Sequence, residues 1–308
     1  MGAYKSRLAR WLLVGPLAFA ADAREPFNLS ELEPGVFVHI GRQLPLDAPG
    51  HDDIANIGFI VGEKCVAVID TGGSVTVGRA LHAAVAKHTS LPICYVINTH
   101  VHVDHVLGNA AFKTDRPSFV GHAALQEAIN RSREFFLKEY PGDLDSPPTA
   151  QQVIGPDRLV ERDLTLDLGR RQLLLRAWPK AHTDCDLTVY DAKTRTLWTG
   201  DLLFRERLPA LDGSVTGWLA ALDDLERTKV ELAVPGHGPA ARDLASAIAP
   251  ERRYLRVLVD GVRDSLAQSK PPEDAIAHVA AEQKSQWMLW DSVHPHNVVR
   301  AYGELEWE

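Results

Sequence analysis

The sequence predicts an α/β (α+β) fold in which two β-sheets pack between layers of helices, an αββα sandwich. Three features of the chain favour this fold. Strand-like and helix-like segments alternate, the strands form an early and a late set, and residues that commonly bind metals follow the ends of several strands. With 308 residues, of which 45% are hydrophobic, the chain can bury a sizeable core.

The early set of strands precedes residue 100. The segments GVFVHI, NIGFIVG and CVAVIDTGG are apolar and are joined by turn residues, which predicts antiparallel pairing. VTVGRALHAAVAKHTS then has helical spacing, and LPICYVINTH returns to a strand. This order places the segment NTHVHVDH, residues 98–105, at the carboxyl end of a strand.

The late set of strands follows a helix and a loop. GHAALQEAINRSREFFLKEY is predicted to be helical, and the Pro-rich segment PGDLDSPPTAQQVIGPD is long enough to form a lid or rim. The predicted strands are LVERDLTLDLG, RQLLLRAWPKAHT, LTVYDAKTRTLWTGD and VELAVPGHG. From residue 241 onward the pattern is helical, and Pro271 and Pro272 are well placed to begin a helix.

No linker or low-complexity tract interrupts residues 24–308, so we expect one domain whose helical C-terminal extension covers about residues 241–308. The formal charge of the chain is −8, and without the three basic residues of positions 1–20 it is −8 − 3 = −11. A basic groove for nucleic acid is therefore not expected, and the predicted partner is a small-molecule substrate.

Residues 1–23 resemble a secretory signal peptide. A basic segment, YKSRLAR, precedes the apolar run WLLVGPLAFA, and small residues at A-x-A spacing follow. This run is too short to cross a membrane, which takes about 20 apolar residues, so no stable membrane insertion is expected. The predicted location is periplasmic or secreted. In such a compartment Cys65 and Cys94, which lie in separate strand-like segments, either pair or remain small buried side chains.

The segment NTHVHVDH carries an unusual density of ligand-type residues. In an extended segment, side chains two residues apart point the same way, so His100 and His102 can converge on one metal ion. Asp104 and His105 follow where the chain turns into a helix and can face a second point nearby. Further residues of these types follow later strands, where an α/β scaffold gathers its site. They are His182, Asp201 and His237.

The other histidines lack such a context, and we interpret them as structural or solvated, with His122 as a candidate for the mouth of the site. They are His39, His51, His82, His88, His122, His278, His294 and His296. Other residues near the motifs have candidate roles as well. A carboxylate of Asp184 or Asp186 is a candidate to orient a ligand, and Trp218 and residues 212–214 are candidates to contact substrate. Cys185 is not expected to bind metal.

The pattern HVHVDH, followed by His182, the pair Gly200 and Asp201, and PGHG, resembles the H-x-H-x-D-H, H, D, H pattern of the metallo-β-lactamase superfamily. The resemblance covers roughly residues 35–240, includes the VIDTGG strand, and implies the metallo-β-lactamase fold. It also implies two zinc ions per chain. His100, His102 and His182 would bind one ion and Asp104, His105 and His237 the other. Asp201 would bridge the two ions, and Asp70 would orient ligands.

The resemblance implies a zinc-dependent hydrolase in which a metal-bridging hydroxide attacks an activated carbonyl of a thioester, ester or lactone, with Asp104 as the catalytic residue that directs the attack. Three alternatives remain: β-lactamase activity, an iron-dependent sulfur dioxygenase, and a non-catalytic small-molecule binding partner of a quinoprotein system. β-Lactamases of the family do not place a bridging aspartate at the Asp201 position, and a binding module would not need Asp104.

Several segments, among them AHTDCDLTVY and AYGELEWE, are similar to segments of secreted zinc metallohydrolases of quinoprotein and sulfur-oxidation systems. This similarity implies an association with a quinoprotein system.

Overall fold

The computed structural model describes residues 27–308, so the predicted signal peptide lies outside the described residues. Twelve strands form two sheets. The first sheet has the order β1-β2-β3-β4-β5-β6-β7 and the second the order β12-β11-β10-β9-β8. The strands of the first sheet are β1 Ser30–Glu33, β2 Val36–His39, β3 Ile57–Val61, β4 Val66–Ile69, β5 Ile93–Ile97, β6 Ser118–His122 and β7 Arg158–Val160. Those of the second are β8 Asp163–Asp167, β9 Gln172–Ala177, β10 Leu187–Asp191, β11 Thr196–Phe204 and β12 Leu232–His237.

The helices are α1 Val75–His88, α2 Val103–Val106, α3 Leu125–Glu139, α4 Val215–Leu225, α5 Leu244–Ala267, α6 Pro272–His278 and α7 Trp290–Leu305. The predicted helical C-terminal part is confirmed by α5 to α7, and Pro272 is the first residue of α6. No helix among residues 27–308 is long and apolar enough to cross a membrane.

The sandwich follows from the alternation of side chains along the strands. In β4, Ala67 and Ile69 face the second sheet, whereas Val66 and Val68 face α1. All four residues of β4 are buried, as expected for a strand covered on both faces. Helices α4 and α5 cover the outer face of the second sheet through a core that includes Trp218, and α7 packs against α5 and α6. The predicted αββα sandwich is therefore confirmed.

Three segments differ from their predictions. LTVYDAKTRTLWTGD contains two strands, β10 and β11, which pair antiparallel. LVERDLTLDLG is not one strand, because the chain leaves the first sheet after β7 and enters the second at β8. The helix after the histidine motif begins at Val103, so Asp104 and His105 lie within α2 rather than before it. A 3-10 helix, Leu107–Asp115, continues from there.

Two long-range links join elements of the sandwich. Cys65, just before β4, forms a disulfide with Cys94 in β5, and the Cα–Cα distance is 5.7 Å. Arg171 and Asp191 form a buried ion pair in the second sheet, with 2.6 Å between Nη2 and Oδ2. Arg171 also donates from Nη1 to the carbonyl of Val61 in the first sheet at 2.8 Å. This guanidinium therefore ties the two sheets together.

Candidate metal centre

The seven predicted metal ligands meet at one edge of the sandwich. They form two groups in which the ligand atoms lie within 4.8 Å of one another. The first group is His100, His102, His182 and Asp201, and the second is Asp104, His105 and His237. The loop after β5 and helix α2 supply four of these residues, and the other three come from the β9–β10 loop, β11 and the end of β12. All seven are buried except His102, which is half-buried.

Asp201 faces both groups. Its Oδ2 lies 3.7 Å from Nε2 of His100 and 3.5 Å from Nε2 of His182. On the other side, Oδ1 lies 3.2 Å from Nε2 of His105, and Oδ2 lies 3.3 Å from Nε2 of His237. This is the placement that the predicted bridge requires. Gly236 makes it possible, because a Cβ there would lie 1.8 Å from Asp201 Oδ1.

The donor atoms fit metal ions. Nε2 of His100, Nε2 of His105 and Oδ1 of Asp201 are buried and make no hydrogen bond with a described residue. Burying such atoms without a partner is costly, and a metal ion bound between these three atoms would satisfy them. Imidazole nitrogens and carboxylate oxygens are ligands that zinc accepts.

Direct hydrogen bonds behind the centre orient three of the histidines. Nδ1 of His182 donates to the Ala210 carbonyl at 2.7 Å, and Nδ1 of His237 donates to the Ile54 carbonyl at 2.8 Å. Nδ1 of His105 donates to Oδ2 of Asp70 at 2.8 Å. With Nδ1 engaged, each ring presents Nε2 to the centre.

His100 is oriented through a relay. Its Nδ1 lies 3.0 Å from Oγ1 of Thr99, which in turn donates to Oδ2 of Asp70 at 2.7 Å. Since the Thr99 proton is committed to Asp70, Nδ1 of His100 must be the donor, and Nε2 is left for the metal. Asp70 therefore supports one histidine of each group, directly or through Thr99, in line with its predicted orienting role.

His102 is oriented in the opposite way. Its Nε2 lies 2.8 Å from Oδ2 of Asp212, so Nδ1 faces the centre, 3.0 Å from Nε2 of His182. Burial opposes the charged form of His102, but the hydrogen bond to Asp212 raises its pKa above the ordinary value. Sequence reasoning missed this role of Asp212, because the contact joins two loops far apart in the chain.

Other predicted site residues have different positions. Trp218 is fully buried beneath His182, with ring centroids 5.1 Å apart, so its predicted contact with substrate is wrong. Asp186 accepts hydrogen bonds from N and Oγ1 of Thr183 at 2.9 and 2.6 Å and fixes the turn after His182. Burial raises the pKa of Asp186 to about 7. Asp184 instead pairs with Arg131 at the surface.

Two more predicted residues lie apart from the centre. Cys185 is a buried thiol whose Sγ lies 3.6 Å from Oγ1 of Thr183, and it belongs to neither ligand group. His122 also belongs to neither group and accepts a hydrogen bond from the Ala124 amide at Nδ1.

Four of the seven ligands have pKa values shifted toward the form that binds a metal ion, whereas the pKa values of His102 and His105 are raised by the carboxylates beside them. Burial alone would raise the pKa of Asp201, but the surrounding histidines, His237 first, hold it well below its ordinary value. Burial lowers the pKa of His182 to about 4 and, together with His105, lowers that of His100. Ionised carboxylates and neutral imidazoles are the forms that bind metals. Sequence reasoning also missed Arg207, whose buried Nη1 lies 3.3 Å from Nδ1 of His237.

The predicted rim loop is tied to a second loop, the segment between β2 and β3. His51, in the segment between β2 and β3, has its Nε2 2.8 Å from Oδ2 of Asp143 in the 3-10 helix Pro141–Asp143. The Tyr140 ring lies 5.7 Å from that of His51. These two loops are therefore in direct contact.

Comparisons with known proteins agree with this geometry. The family model described as the metallo-beta-lactamase superfamily matches residues 50–237. The fold is similar to that of the stereoselective inverting sec-alkylsulfatase Pisa1 from Pseudomonas sp., with a TM-score of 0.70 and 17% identity over 90% of this chain and 50% of the sulfatase chain. This chain thus spans about half the length of the sulfatase chain.

Shorter proteins are similar as well. The metallo-β-lactamase from Pontibacter korlensis has a TM-score of 0.59 and 19% identity, over 74% of this chain and 98% of the lactamase. For the TMB-1 structure the TM-score is 0.58 and the identity 15%, over 74% of this chain and 96% of that chain. No curated protein sequence matches. At these identities the likeness concerns the fold.

Proposed function

The chain belongs to the metallo-β-lactamase superfamily, and we propose that it is a hydrolase that binds two zinc ions and acts on an activated carbonyl compound, a thioester, ester or lactone. The observation that carries the proposal is the pair of ligand groups joined by Asp201, with the carboxylate of Asp104 in the second group. His100, His102 and His182 would hold one ion, Asp104, His105 and His237 the other, and Asp201 would contact both.

The bound zinc ions would supply Lewis acidity, which polarises the carbonyl and lowers the pKa of a water molecule from 15.7 toward about 7. The protein's own contribution is orientation. Oδ2 of Asp104 lies 3.4 Å from Nε2 of His237 and 3.6 Å from Nε2 of His105. Facing the same space as Asp201, this carboxylate can accept a hydrogen bond from the attacking water at Oδ1 or Oδ2 and direct it toward the carbonyl carbon.

Asp201 also bears on the choice of substrate. It adds negative charge between the two sites, which tightens metal binding but lowers the electrophilicity of the pair. We therefore propose activated carbonyl compounds ahead of β-lactams. The fold is similar to that of a sec-alkylsulfatase over 90% of this chain. A secondary alkyl sulfate should therefore be tested alongside the carbonyl compounds.

We also propose that the protein works outside the cytoplasm, in the periplasm or secreted. The pattern of residues 1–23 supports this, and so does the Cys65–Cys94 disulfide, because disulfides persist mainly in oxidising compartments. The proposed association with a quinoprotein system rests on the resemblance alone. Mass spectrometry of the exported protein tests the location, since a new N-terminus near Ala21 or Arg24 is expected.

The function is tested on purified protein that is stripped with chelator and reloaded with zinc. Metal analysis should approach two equivalents per chain. A panel of one thioester, ester, lactone, penicillin and secondary alkyl sulfate should show the highest kcat/KM among the first three. One saturating equivalent, or native protein that contains mainly iron, would contradict the dinuclear zinc centre. Faster turnover of the penicillin or the sulfate would contradict the substrate class.

A further inference from the structure

The loop between β11 and α4 supports two of the three histidines of the first ligand group. We propose that helix α7 holds this support loop, residues 208–214, in place, and that His296 and Asp212 are therefore positioning residues for the metal bound by His100, His102 and His182. The inference rests on metal binding, which is one part of the proposed function, and does not depend on the substrate.

The support loop contacts both histidines through hydrogen bonds. Oδ2 of Asp212 accepts from Nε2 of His102 at 2.8 Å. The Ala210 carbonyl accepts from Nδ1 of His182 at 2.7 Å, and the Asp212 amide donates to the His182 carbonyl at 3.1 Å. Partners of this kind set the ring orientation and basicity of a metal-bound histidine.

His102 depends on this contact more than the other histidines do. It presents Nδ1 to the centre, whereas the rings of His100, His105, His182 and His237 present Nε2. Without Asp212, nothing in the described part of the chain holds Nε2 of His102 outward, and rotation of the ring would exchange its two nitrogens. The orientation of this ligand is therefore set by a residue outside the ligand set.

Asp212 is itself held by α7. Nε2 of His296 lies 2.9 Å from Oδ1 of Asp212 and 3.0 Å from the Leu211 carbonyl. Each carboxylate oxygen of Asp212 thus accepts from a different histidine, Oδ1 from His296 and Oδ2 from His102. Asn297 donates to the Pro209 carbonyl at 2.7 Å and accepts from the Leu211 amide at 2.9 Å. The backbone on either side of Ala210 is fixed by one side chain of α7.

Two further residues of α7 complete the attachment. Arg300 donates to the Asp212 carbonyl, and Glu304 accepts from Oγ of Ser214 at 2.7 Å and from the Val215 amide at 2.6 Å, at the start of α4. Four residues of α7, spaced along one face of the helix, therefore bind consecutive parts of the loop. They are His296, Asn297, Arg300 and Glu304.

The support loop needs these contacts with α7 because little within the loop itself fixes its conformation. It has no regular secondary structure before α4, and the Asp212 side chain is 41% exposed. An exposed ion pair between mobile side chains contributes little, since ordering both side chains and screening by water offset the attraction. The hydrogen bond from His296 to Oδ1 of Asp212 already orders the Asp212 side chain. Less conformational entropy is then lost when Oδ2 accepts the hydrogen bond from His102. Helix α7 lies outside residues 50–237, the part that matches the family model.

The experiment compares zinc binding by the wild type, Asp212→Asn and His296→Ala, with Val299→Ala as control. Val299 lies on the same helix and is 51% exposed. Zinc affinity is measured by competition with a chromophoric chelator, Co²⁺ absorption spectra report ligand geometry, and thermal unfolding of the metal-free proteins reports folding. We expect Asp212→Asn and His296→Ala to bind one of two equivalents about 10- to 100-fold more weakly, with an altered Co²⁺ spectrum. The control should match the wild type.

Two further variants distinguish a role of His296 in positioning Asp212 from a general loss of stability. His296→Gln keeps an N–H donor for Asp212 and should restore part of the affinity that His296→Ala loses. If His296 acts through Asp212, the variant carrying Asp212→Asn and His296→Ala should bind no more weakly than Asp212→Asn alone.

The inference is overturned if either single variant binds both equivalents with wild-type affinity, or if the double variant shows the product of the two losses. Wild-type protein that binds fewer than two ions would overturn both this inference and the dinuclear centre. Wild-type protein that binds two ions but hydrolyses nothing in the panel would contradict the proposed substrate class and leave this inference standing.

Discussion

Asp70, directly after β4, accepts a hydrogen bond from Nδ1 of His105 at 2.8 Å, and both side chains are buried. The same carboxylate accepts from the amide and from Oγ1 of Thr99, at 2.8 and 2.7 Å. One aspartate thus connects the carboxyl ends of two adjacent strands to the metal ligands that follow the second of them.

Replacing Asp70 with Asn should weaken zinc binding by about 10- to 100-fold, mainly at the group that contains His105, because the charged acceptor that fixes this ring is lost. Competition with a chromophoric chelator measures the loss. Asp115→Asn is the matched control, since Asp115 accepts from Nε2 of His82 at the same distance of 2.8 Å but at the surface. Equal affinity for Asp70→Asn and Asp115→Asn would contradict the orienting role.

Asp104→Asn should lower kcat by about 10²- to 10⁴-fold, because a positioned proton acceptor contributes a rate factor of that order. The loss should fall on kcat more than on KM, since the direction of attack is damaged rather than the binding of substrate. Zinc content is measured on the same samples and turnover is compared at equal loading. Asp184→Asn, which removes an exposed partner of Arg131, is the control and should change neither constant. Near wild-type turnover of zinc-loaded Asp104→Asn would refute the assignment.

The buried ion pair between Arg171 and Asp191 should be essential for stability. Asp191→Asn leaves a buried guanidinium without its charge partner and should lower the free energy of unfolding by about 3–5 kcal/mol. The neighbouring Arg170 offers a control, because it pairs with Glu63 at 2.6 Å in an exposed position. Glu63→Gln should cost about 0–1 kcal/mol. Urea unfolding measures both, and similar losses would argue against a structural role for the buried pair.

The contact between His51 and Asp143 should make the rim loops sensitive to pH. Burial lowers the pKa of His51, but the hydrogen bond and charge of Asp143 outweigh burial, so this pKa lies above its ordinary value. The charged pair therefore stabilises the fold fully below the unfolded pKa of about 6.5, and this contribution is lost as pH rises through the folded pKa.

Asp143→Asn should accordingly destabilise the metal-free protein more at a pH of about 5.5 than at a pH of about 8.5, by a difference of about 1 kcal/mol or less. Urea unfolding at the two pH values measures it. In the His51→Asn background the same substitution should have an effect independent of pH. A larger effect at the higher pH would show that the sign is wrong.

The order of the layers and the location of the metal centre could be predicted from local pattern. The continuous apolar runs in CVAVID and ICYVIN indicate buried strands, and side chains just beyond the carboxyl ends of such strands share one edge of the fold. The spacing of His100 and His102 within one extended segment was enough to predict that they converge. These features depend on neighbours in the chain, which the sequence contains directly.

What the tertiary structure decided are contacts between elements distant in the chain. Only the packing of α7 against α5 and α6 brings His296 to Asp212, which in turn contacts His102. Likewise, only the packing of α4 against the second sheet buries Trp218 against His182 instead of exposing it to substrate. The sequence alone also did not decide whether Cys65 and Cys94 pair. The pairing of β4 with β5 brings them together in a disulfide. The physical reason is that periodicity encodes which way a side chain points from its own element, whereas its partner depends on how whole layers pack together.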